Sequence, residues 1–395
     1  MRMNHCASLM IVSLLWVSSG LTQTLDPISF VLHRIGTNRT EACGVADFNQ
    51  DGKLDIVAGP TLYLAPDWRS RSIREVSGKV DEKGKGYADD FCNLILDINN
   101  NGKPDLLSAT WFAKTSYWFE NILDKEGLWP VHLIDPLGNH ETGTLEDIDG
   151  DGLAREFLPQ THITVWYRCS QQPDGNPGLT KYVVSEKKME FGAGVGDING
   201  DGRPDILRPN AWFEAPENIL TGSWKEHPLA LGGPKATPTH TSNIIVSDVN
   251  KDGLNDLITS CAHQHGIYWY EQKLMPDGSR TWEQHTIDDS WTQAHYLAYA
   301  DINNDGNKEL ITGKRFMAHN GGDPDAYGPC GIYYYSFTPG PNPSFTRHVI
   351  TQSVGAGLNI VTIDMDGDGD IDLVTTGKAG GPLLFENQLI KSSSH

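Results

Sequence analysis

The stretch Asp47-Phe48-Asn49-Gln50-Asp51-Gly52-Lys53-Leu54-Asp55 decides how this chain of 395 residues folds, because it recurs. Acidic or amide side chains stand at its first, third, fifth and ninth positions, and glycine stands at the sixth. Successive copies are spaced by 50, 50, 50, 51, 53 and 63 residues. One structural unit is therefore repeated, with insertions that grow toward the C-terminus. The seven copies begin at Asp47, Asp97, Asp147, Asp197, Asp248, Asp301 and Asp364.

Each copy lies between strand-like segments. Small and apolar residues precede it, as at residues 43–46, and an apolar run follows it, as at residues 54–58. An aromatic segment such as residues 117–121 comes next. An outer segment then places a His three positions after an aromatic residue and an apolar residue five positions after it, as at residues 129–134. The pattern predicts four strands per unit, with the acidic stretch as the turn between the first two.

The order of these segments predicts a closed ring. The chain begins with an outer segment and ends after the aromatic third segment of the seventh unit, so residues 28–35 must supply the missing outer strand. A β-propeller closes in this way and leaves only short protected edges, whereas an open solenoid needs capping repeats at both ends. We expect an all-β fold, a seven-bladed β-propeller of four-stranded blades over residues 24–395.

The repeated motif Asp-x-Asp/Asn-x-Asp-Gly-x-x-Asp resembles the FG-GAP/VCBS repeats of integrin α-subunits and of many secreted bacterial and fungal propellers. The resemblance covers roughly residues 28–388 and implies the same fold. Propellers include adhesins, lectins, lyases and hydrolases, so activity has to be argued from the site.

The first residues have the features of an export signal. Arg2 precedes an apolar run at residues 9–17, and small residues follow at 18–20. The run is too short to span a bilayer. We expect a signal peptide over residues 1–23 and a secreted, periplasmic or extracellular mature chain without a membrane span.

The composition excludes two classes of protein. Lys and Arg number 31 against 51 Asp and Glu, and the formal net charge of −20 argues against a nucleic-acid partner. Hydrophobic residues make up 38% of the chain, which is too many for a disordered protein.

The acidic stretches have the ligand pattern of cation-binding loops. Oxygen ligands at positions 1, 3, 5 and 9, with glycine at position 6 for the sharp turn, suit Ca²⁺. The third copy departs, with Arg155 at position 9 and Glu156 at position 10, and the second has the neutral Asn101 at position 5. We expect structural Ca²⁺ in about four to six loops, weakest in the third. The alternative is that these side chains only form turns.

The predicted Ca²⁺ ligands are taken loop by loop. They are Asp47, Asn49, Asp51 and Asp55; Asp97, Asn99, Asn101 and Asp105; Asp147, Asp149 and Asp151; Asp197, Asn199, Asp201 and Asp205; Asp248, Asn250, Asp252 and Asp256; Asp301, Asn303, Asp305 and Glu309; and Asp364, Asp366, Asp368 and Asp372.

Polar residues that do not follow the repeat indicate a site at the opposite end of the ring. Positions six to eight before each acidic loop, and the connection after each second strand, converge there. The His residues that recur in the outer strands are assigned to the structural framework of the repeat. They are His33, His132, His227, His285 and His348. We assign catalytic roles to His140, His240, His263, His265, His295, Lys314, Arg315 and His319, and substrate-binding roles to Asp90, Trp111, Glu141, His162, Trp212 and Tyr327.

Two segments of the sequence concentrate these residues. His263 and His265 are two residues apart, which predicts that both imidazoles lie on one strand face, suited to a substrate anion or to a further divalent ion such as Zn²⁺ at the channel mouth. Residues 315–330 form the longest insertion, rich in Gly, Pro and Asp, and are predicted to form a lid or a binding wall.

The site looks similar to those of propeller-type polysaccharide lyases and of the propeller domain of aldos-2-ulose dehydratase. That resemblance implies β-elimination on a sugar acid or a ketosugar. The alternatives are a non-catalytic carbohydrate-binding or adhesion propeller and a metal-dependent hydrolase. The non-repeating polar residues are concentrated in the third, fifth and sixth units, which favours one catalytic site, a carbon-oxygen lyase, over the repeated sites of a lectin.

Overall fold

The computed structural model describes residues 27–123, 125, 127–233 and 238–390. The signal peptide predicted over residues 1–23 lies outside this range. The described residues form seven four-stranded antiparallel sheets, a two-stranded hairpin and a short 3-10 segment, Ala318–Gly321. The prediction of an all-β propeller with seven four-stranded blades is confirmed. Within the described part of the chain, no helix is long and apolar enough to cross a membrane.

The strands are numbered in chain order, and each blade is given from its innermost strand outward. Blade 1 contains β2 (Cys43–Ala46), β3 (Asp55–Ala58), β4 (Thr61–Leu64) and β5 (Arg69–Ser72); blade 2 contains β8 (Cys92–Leu96), β9 (Asp105–Ala109), β10 (Ser116–Phe119) and β11 (Val131–Asp135); blade 3 contains β12 (Thr142–Glu146), β13 (Glu156–Gln160), β14 (Thr164–Gln171) and β15 (Pro177–Ser185); blade 4 contains β16 (Gly194–Gly196), β17 (Asp205–Arg208), β18 (Ala211–Glu214) and β19 (Lys225–Pro228).

The remaining strands complete the ring. Blade 5 contains β20 (Ile245–Ser247), β21 (Asp256–Ser260), β22 (His265–Leu274) and β23 (Arg280–Thr292); blade 6 contains β24 (Ala294–Ala300), β25 (Glu309–Lys314), β26 (Ile332–Thr338) and β27 (Ser344–Thr351); blade 7 contains β28 (Ile360–Ile363), β29 (Asp372–Thr375), β30 (Gly381–Asn387) and β1 (Phe30–Asn38). The separate hairpin joins β6 (Gly78–Val80) to β7 (Gly86–Ala88) between blades 1 and 2.

The ring closes between β1 and β30. The two strands are antiparallel, with Phe30 opposite Asn387 and Arg34 opposite Leu383. The sequence predicted this closure with residues 28–35, and the observed strand starts two residues later and extends to Asn38. Blade 7 therefore has a complete sheet, because its outermost strand comes from the opposite end of the chain.

The apolar core lies between neighbouring blades. Leu107 of blade 2 packs with Phe157 of blade 3, and Leu207 of blade 4 packs with Leu257 of blade 5. Because each sheet is covered on both faces, its second strand is buried throughout, as β21 shows.

The framework His residues pack in the way that the repeat predicted. In four blades the imidazole of the outer strand stacks on an aromatic ring of the third strand, and the centroids of Trp118 and His132 are 4.1 Å apart. Trp212 belongs to this framework. Its ring stacks on His227 at 4.0 Å and is 3% exposed, so the substrate-binding role assigned to Trp212 is wrong.

Each acidic loop has the same internal hydrogen bonds. In the first loop, Asp55 Oδ2 accepts the amide of Phe48 at 3.1 Å, and Asp47 Oδ2 accepts the amide of Gly52 at 2.8 Å. In the third loop Glu156 takes the role of Asp55, since it opens β13 and accepts the amide of Ile148 at 3.1 Å. Glu156 stands at position 10 of this copy in the sequence, and the structure shows that the loop is one residue longer, so that Glu156 supplies the final carboxylate.

Candidate functional site

The candidate site lies at the end of the channel opposite the acidic loops. The innermost strands all run in the same direction along the channel, each leading into its acidic loop. The residues at the start of these strands therefore meet at this end. The structure brings together Glu141, His263, His295, Arg315 and His319.

A buried ion-pair cluster forms the floor of this site. Arg315 Nε lies 2.6 Å from Glu41 Oε1 and Arg315 Nη1 lies 2.9 Å from Glu141 Oε1. Burial alone would lower the pKa of the guanidinium, but the two carboxylates hold that pKa above its ordinary value. Arg315 is 2% exposed. Its predicted catalytic role is therefore wrong: the side chain binds two protein carboxylates and is not free to bind a substrate.

His295 lies beside this floor with one nitrogen unused. Its Nδ1 is 3.3 Å from the carbonyl oxygen of Gln293, so Nδ1 carries the hydrogen. Its Nε2 is buried without a hydrogen-bond partner and lies 3.9 Å from Glu141 Oε1. Burial, followed by the charges of Arg315 and His263, lowers the pKa of His295 well below its usual value. The ring is therefore neutral, with a lone pair on Nε2.

Glu141, His263 and His295 could hold a metal ion. One ligand atom from each lies within 4.8 Å of the others. Two imidazoles and one carboxylate are the protein ligands of several catalytic zinc sites, which leave a position open for water or substrate. The donor set and the unpartnered Nε2 of His295 fit such an ion.

His263 also contacts a second group of polar residues. Asp323 Oδ2 lies 3.2 Å from His263 Nδ1, and Asp323 Oδ1 lies 2.7 Å from His319 Nδ1. Burial opposes ionisation of Asp323, but the hydrogen bonds from both imidazoles hold its pKa well below the usual range. The same carboxylate raises the pKa of His319.

The insertion of blade 6 covers these residues. We call residues 316–328 the lid. Its main chain or side chains contact three neighbours: Lys378 Nζ donates to the Met317 carbonyl at 3.1 Å, the Gly86 amide donates to Asn320 Oδ1 at 2.9 Å, and Thr292 Oγ1 donates to the Pro324 carbonyl at 3.0 Å. The sequence predicted a lid or a binding wall at this insertion, and its position over the cluster fits that prediction.

Lys314 stands at the base of the lid and is 1% exposed. Its Nζ lies 3.1 Å from Asp325 Oδ2 and also donates to the Asp325 carbonyl. The catalytic role predicted for Lys314 is wrong for the same reason as that of Arg315, because the ammonium group binds the lid.

His240 borders the cluster and is partly open to solvent. Its Nε2 lies 2.8 Å from Glu190 Oε2, and 35% of its side chain is exposed. Its ring centroid is 5.7 Å from that of His263. Burial and the charge of His263 lower the pKa of His240. A neutral imidazole oriented by a carboxylate is suited to proton transfer.

Aromatic rings continue from His240 along the channel mouth. We call Phe91, Trp111, Phe112 and Phe191 the aromatic wall. Phe191 lies 5.0 Å from His240 and 5.3 Å from Trp111, and Phe91 lies 6.0 Å from Phe112, between ring centroids. Phe112 is 55% exposed.

Two residues shape or extend this wall. Asp89 fixes the loop that carries Trp111 and Phe112, because Oδ1 accepts their amides at 2.8 and 2.9 Å. His162 packs on Phe191 at 4.5 Å, which agrees with its predicted place beside the site.

Four predicted residues are not part of this cluster. His140 is 0% exposed and its Nε2 bonds Ser116 Oγ at 3.1 Å, and burial lowers the pKa of His140 to about 4. Asp90 is buried against Arg74 at 2.8 Å. A substrate at the channel mouth cannot reach either residue, so both assignments are wrong.

His265 and Tyr327 lie on the surface. His263 lies in a turn before β22 and only His265 begins the strand, so the two imidazoles do not share a strand face. His265 is exposed, with Nδ1 3.0 Å from the Asp289 carbonyl oxygen. Tyr327 is 76% exposed at the end of the lid.

Sequence reasoning missed Glu41, Glu190, Phe191 and Asp323 as site residues. Glu41 and Glu190 stand in the column six to eight positions before an acidic loop, so position was a usable signal. Asp323 lies inside the insertion, where no repeat defines a position.

Acidic loops 3 and 7 each bring three carboxylates together, although Asp149 of loop 3 also pairs with Arg168 at 2.9 Å. The ligand atoms of Asp147, Asp149 and Glu156 lie within 4.8 Å of one another, as do those of Asp364, Asp366 and Asp372. Asp147 Oδ1 is buried without a hydrogen-bond partner. Three carboxylates with a free oxygen suit Ca²⁺.

A family comparison agrees with the repeat. Residues 248–312, which run from the fifth acidic loop into β25, match the FG-GAP-like repeat family. The protein is a seven-bladed propeller, and this part of it matches the FG-GAP-like repeat. The resemblance found in the sequence is thereby confirmed. No match was found among curated proteins.

Solved structures resemble this propeller at low sequence identity. Virginiamycin B lyase from Staphylococcus aureus is 13% identical, with 91% of this chain and 99% of that chain covered and a TM-score of 0.48. Rhamnogalacturonan lyase YesW is 11% identical (93% and 73% covered, TM-score 0.46). The V. cholerae biofilm matrix protein Bap1 is 10% identical (91% of each chain covered, TM-score 0.44). These values carry no information about activity.

Proposed function

We propose that this protein is a secreted carbon-oxygen lyase that acts on a carbohydrate by metal-assisted β-elimination at the channel mouth. The observation that carries the proposal is the buried, unpartnered Nε2 of His295 beside Glu141 and His263. Buried polar atoms usually have a hydrogen-bond partner; His140 also has an unpartnered nitrogen, but only His295 Nε2 lies beside a carboxylate and a second imidazole of the cluster. A single asymmetric cluster is expected of a catalytic site, whereas a lectin would have similar sites repeated in several blades.

Glu141, His263 and His295 would hold a divalent ion such as Zn²⁺. When bound, the ion supplies a Lewis acid that polarises a carbonyl or carboxylate oxygen of the sugar. Arg315 donates to Glu141 Oε1, the oxygen that lies 3.9 Å from His295 Nε2, and so restricts the rotation of this carboxylate. The ligands therefore need little reorganisation on binding.

His240 is the group that we assign to proton abstraction. Glu190 accepts the Nε2 hydrogen, which leaves the lone pair on Nδ1 to take a proton from the carbon next to the carbonyl group. The lowered pKa of His240 keeps the imidazole neutral at the start of the reaction. His319, which is 54% exposed in its side chain and has a raised pKa, is placed to donate a proton to the leaving oxygen.

The charges at the mouth favour a neutral ketosugar over a sugar acid. Lys314 and Arg315 bind protein carboxylates, and Lys378 lies 3.4 Å from the centre of the Tyr87 ring and donates to the Met317 carbonyl. None of these three cations is free to neutralise a uronate chain. Within the aromatic wall, the half-buried Trp111 and the exposed Phe112 offer flat apolar surface to the face of a pyranose ring, while Phe91 and Phe191 are buried behind them.

A screen with a matched pair of variants tests the proposal. Neutral ketosugars and uronate polysaccharides are incubated with the protein and Zn²⁺, and the absorbance of a new unsaturated bond is followed. We expect turnover of a ketosugar, a loss of about 10²–10⁴-fold in His240→Ala with little change in melting temperature, and unchanged turnover per folded molecule in the framework variant His285→Ala. Equal rates in wild type and His240→Ala would overturn the mechanism.

Two other outcomes identify the competing functions. Cleavage without an unsaturated product indicates metal-dependent hydrolysis. Glycan binding without turnover indicates a binding or adhesion propeller, which the exposure of Phe112 (55%) and Tyr327 (76%) would serve.

The acidic loops complete the proposal. We assign Ca²⁺ to the loops as a structural ion, most firmly in loops 3 and 7, where three carboxylates converge. Ligation replaces repulsion among the clustered carboxylates and so stabilises the turn between the first two strands of a blade.

A further inference from the structure

One lid carboxylate is shared by two imidazoles. Asp323 accepts hydrogen bonds from His263 Nδ1 at 3.2 Å and from His319 Nδ1 at 2.7 Å, and its side chain is 9% exposed. An ionised carboxylate only accepts, so both Nδ1 atoms carry the hydrogens. A hydrogen on His263 Nδ1 leaves Nε2 as the atom through which this ring would bind an ion.

This arrangement orients His263 for a metal ion. A His ligand commonly donates its second N–H to a carboxylate, which fixes the tautomer and the orientation of the ring. His263 is the member of the Glu141–His263–His295 group that has such a carboxylate. Asp323 belongs to the lid, whereas His263 belongs to blade 5.

The lid is held in a conformation that its own residues do not favour. Met317, His319 and Asn320 have φ angles of 55°, 46° and 55°. L-residues seldom occupy this left-handed region in succession, so tertiary contacts must hold the segment. Two lid residues contact the proposed ligand His263: Asp323 by its hydrogen bond and His319 by stacking, with ring centroids 4.4 Å apart.

We propose that Asp323 is a positioning residue that fixes His263 for metal binding and thereby couples lid closure to the ion. The inference rests on the metal centre of the proposed function. Coupling is reciprocal: if the closed lid raises the affinity for the ion, the bound ion must favour the closed lid by the same factor. Substrate entry would then require the lid to open over a loaded site.

Metal affinity tests the positioning role. Zn²⁺ is titrated calorimetrically into the Ca²⁺-loaded wild type, Asp323→Asn, Asp323→Glu and Asp325→Asn. We expect Asp323→Asn to bind Zn²⁺ about 10–100-fold more weakly and Asp323→Glu to recover part of the loss. Asp325→Asn is the matched control, because Asp325 is a lid carboxylate that contacts Lys314 and not a proposed ligand. Its affinity should stay within about twofold of wild type.

Hydrogen exchange tests the coupling without any mutation. Zn²⁺ should slow amide exchange in residues 316–328 of the wild type, and Asp323→Asn should lose this protection. Binding of Zn²⁺ with unchanged lid exchange, or equal affinities of Asp323→Asn and Asp325→Asn, overturns this inference and leaves the metal centre standing. A wild type that does not bind Zn²⁺ overturns both. Tight binding with lid protection but no turnover overturns the proposed reaction alone.

Discussion

Arg315 Nη1 lies 2.9 Å from Glu141 Oε1 across the buried end of the channel. Arg315 follows β25 in blade 6 and Glu141 precedes β12 in blade 3, so the contact joins opposite sides of the ring. The guanidinium also binds Glu41 of blade 1. Three blades are therefore connected through one side chain.

Substituting Arg315 should destabilise the fold strongly. Arg315→Met leaves Glu41 and Glu141 buried without their partner, and breaking such a pair costs about 3–5 kcal/mol. Arg69→Met is the control, because Arg69 and Asp67 form an exposed pair worth less than about 1 kcal/mol. Urea denaturation compares the two variants with wild type. A midpoint of Arg315→Met equal to that of Arg69→Met would show that the buried cluster does not stabilise the ring.

Removing Ca²⁺ should lower the melting temperature. An ion that binds only the folded state stabilises it by about 2.7 kcal/mol per site at a hundred times its dissociation constant. Melting curves are recorded with a Ca²⁺-selective chelator, with added Ca²⁺ and with the chelator already saturated. Asp366→Asn in loop 7 should weaken the response. Identical curves in all conditions would reject structural calcium.

The stability of the protein should rise between pH 8 and pH 10 through Lys378. Burial lowers the pKa of Lys378 from 10.5 to about 8, opposed by the charge of Glu41, with Arg315 and Asp323 as the other charged neighbours. Between these values the unfolded chain binds more protons than the folded chain, so raising the pH favours folding. Below pH 8 both states are protonated and the slope vanishes.

The test compares wild type with Lys378→Met. The difference in unfolding free energy should change by at most about 3 kcal/mol between pH 8 and pH 10.5, in favour of wild type as pH rises. Parallel pH profiles of the two proteins would contradict the buried, neutralised amine.

Deleting the first strand should open the ring. Removal of residues 24–38 takes away β1 and leaves β30 with an unpaired edge, which promotes aggregation. Size-exclusion chromatography and melting curves should show aggregated or unfolded protein. A deletion that stops at residue 26 leaves β1 in place and should behave like the mature chain. A monomeric, fully stable 24–38 deletion would mean that the ring closes without β1.

The sequence located part of the site by position alone. His240 stands before an innermost strand and His295 near the start of one, while Lys314 ends a second strand and His263 and Arg315 follow one, so the repeat placed all five at one end of the channel. A position in the repeat does not specify which side chain a residue will bind. Lys314 and Arg315 turned out to bind Asp325, which lies in the insertion, and Glu41 and Glu141, which share one repeat position, six residues before their acidic loops. The repeat gives that position but not the pairing.

The other failures have the same cause. His140 and Asp90 stand in the same column as His240 and His295, but they bind Ser116 and Arg74, which lie outside the cluster. Side chains two residues apart share a face only within a strand. His263 lies in a turn before β22, so the prediction that it shares a face with His265 does not hold. Burial and strand ends depend on what packs against a segment, and no local pattern records that.

The sequence by itself determined the propeller, its seven blades and the strand that closes the ring, because each depends on a local pattern repeated in phase. Only the tertiary structure decided which polar residues are free to act. The unpartnered Nε2 of His295, the Glu190–His240 pair and the shared contacts of Asp323 arise from side chains on different blades and in an insertion. Their partners are set by three-dimensional packing, since the free energy of a buried polar group depends on the neighbours that satisfy it.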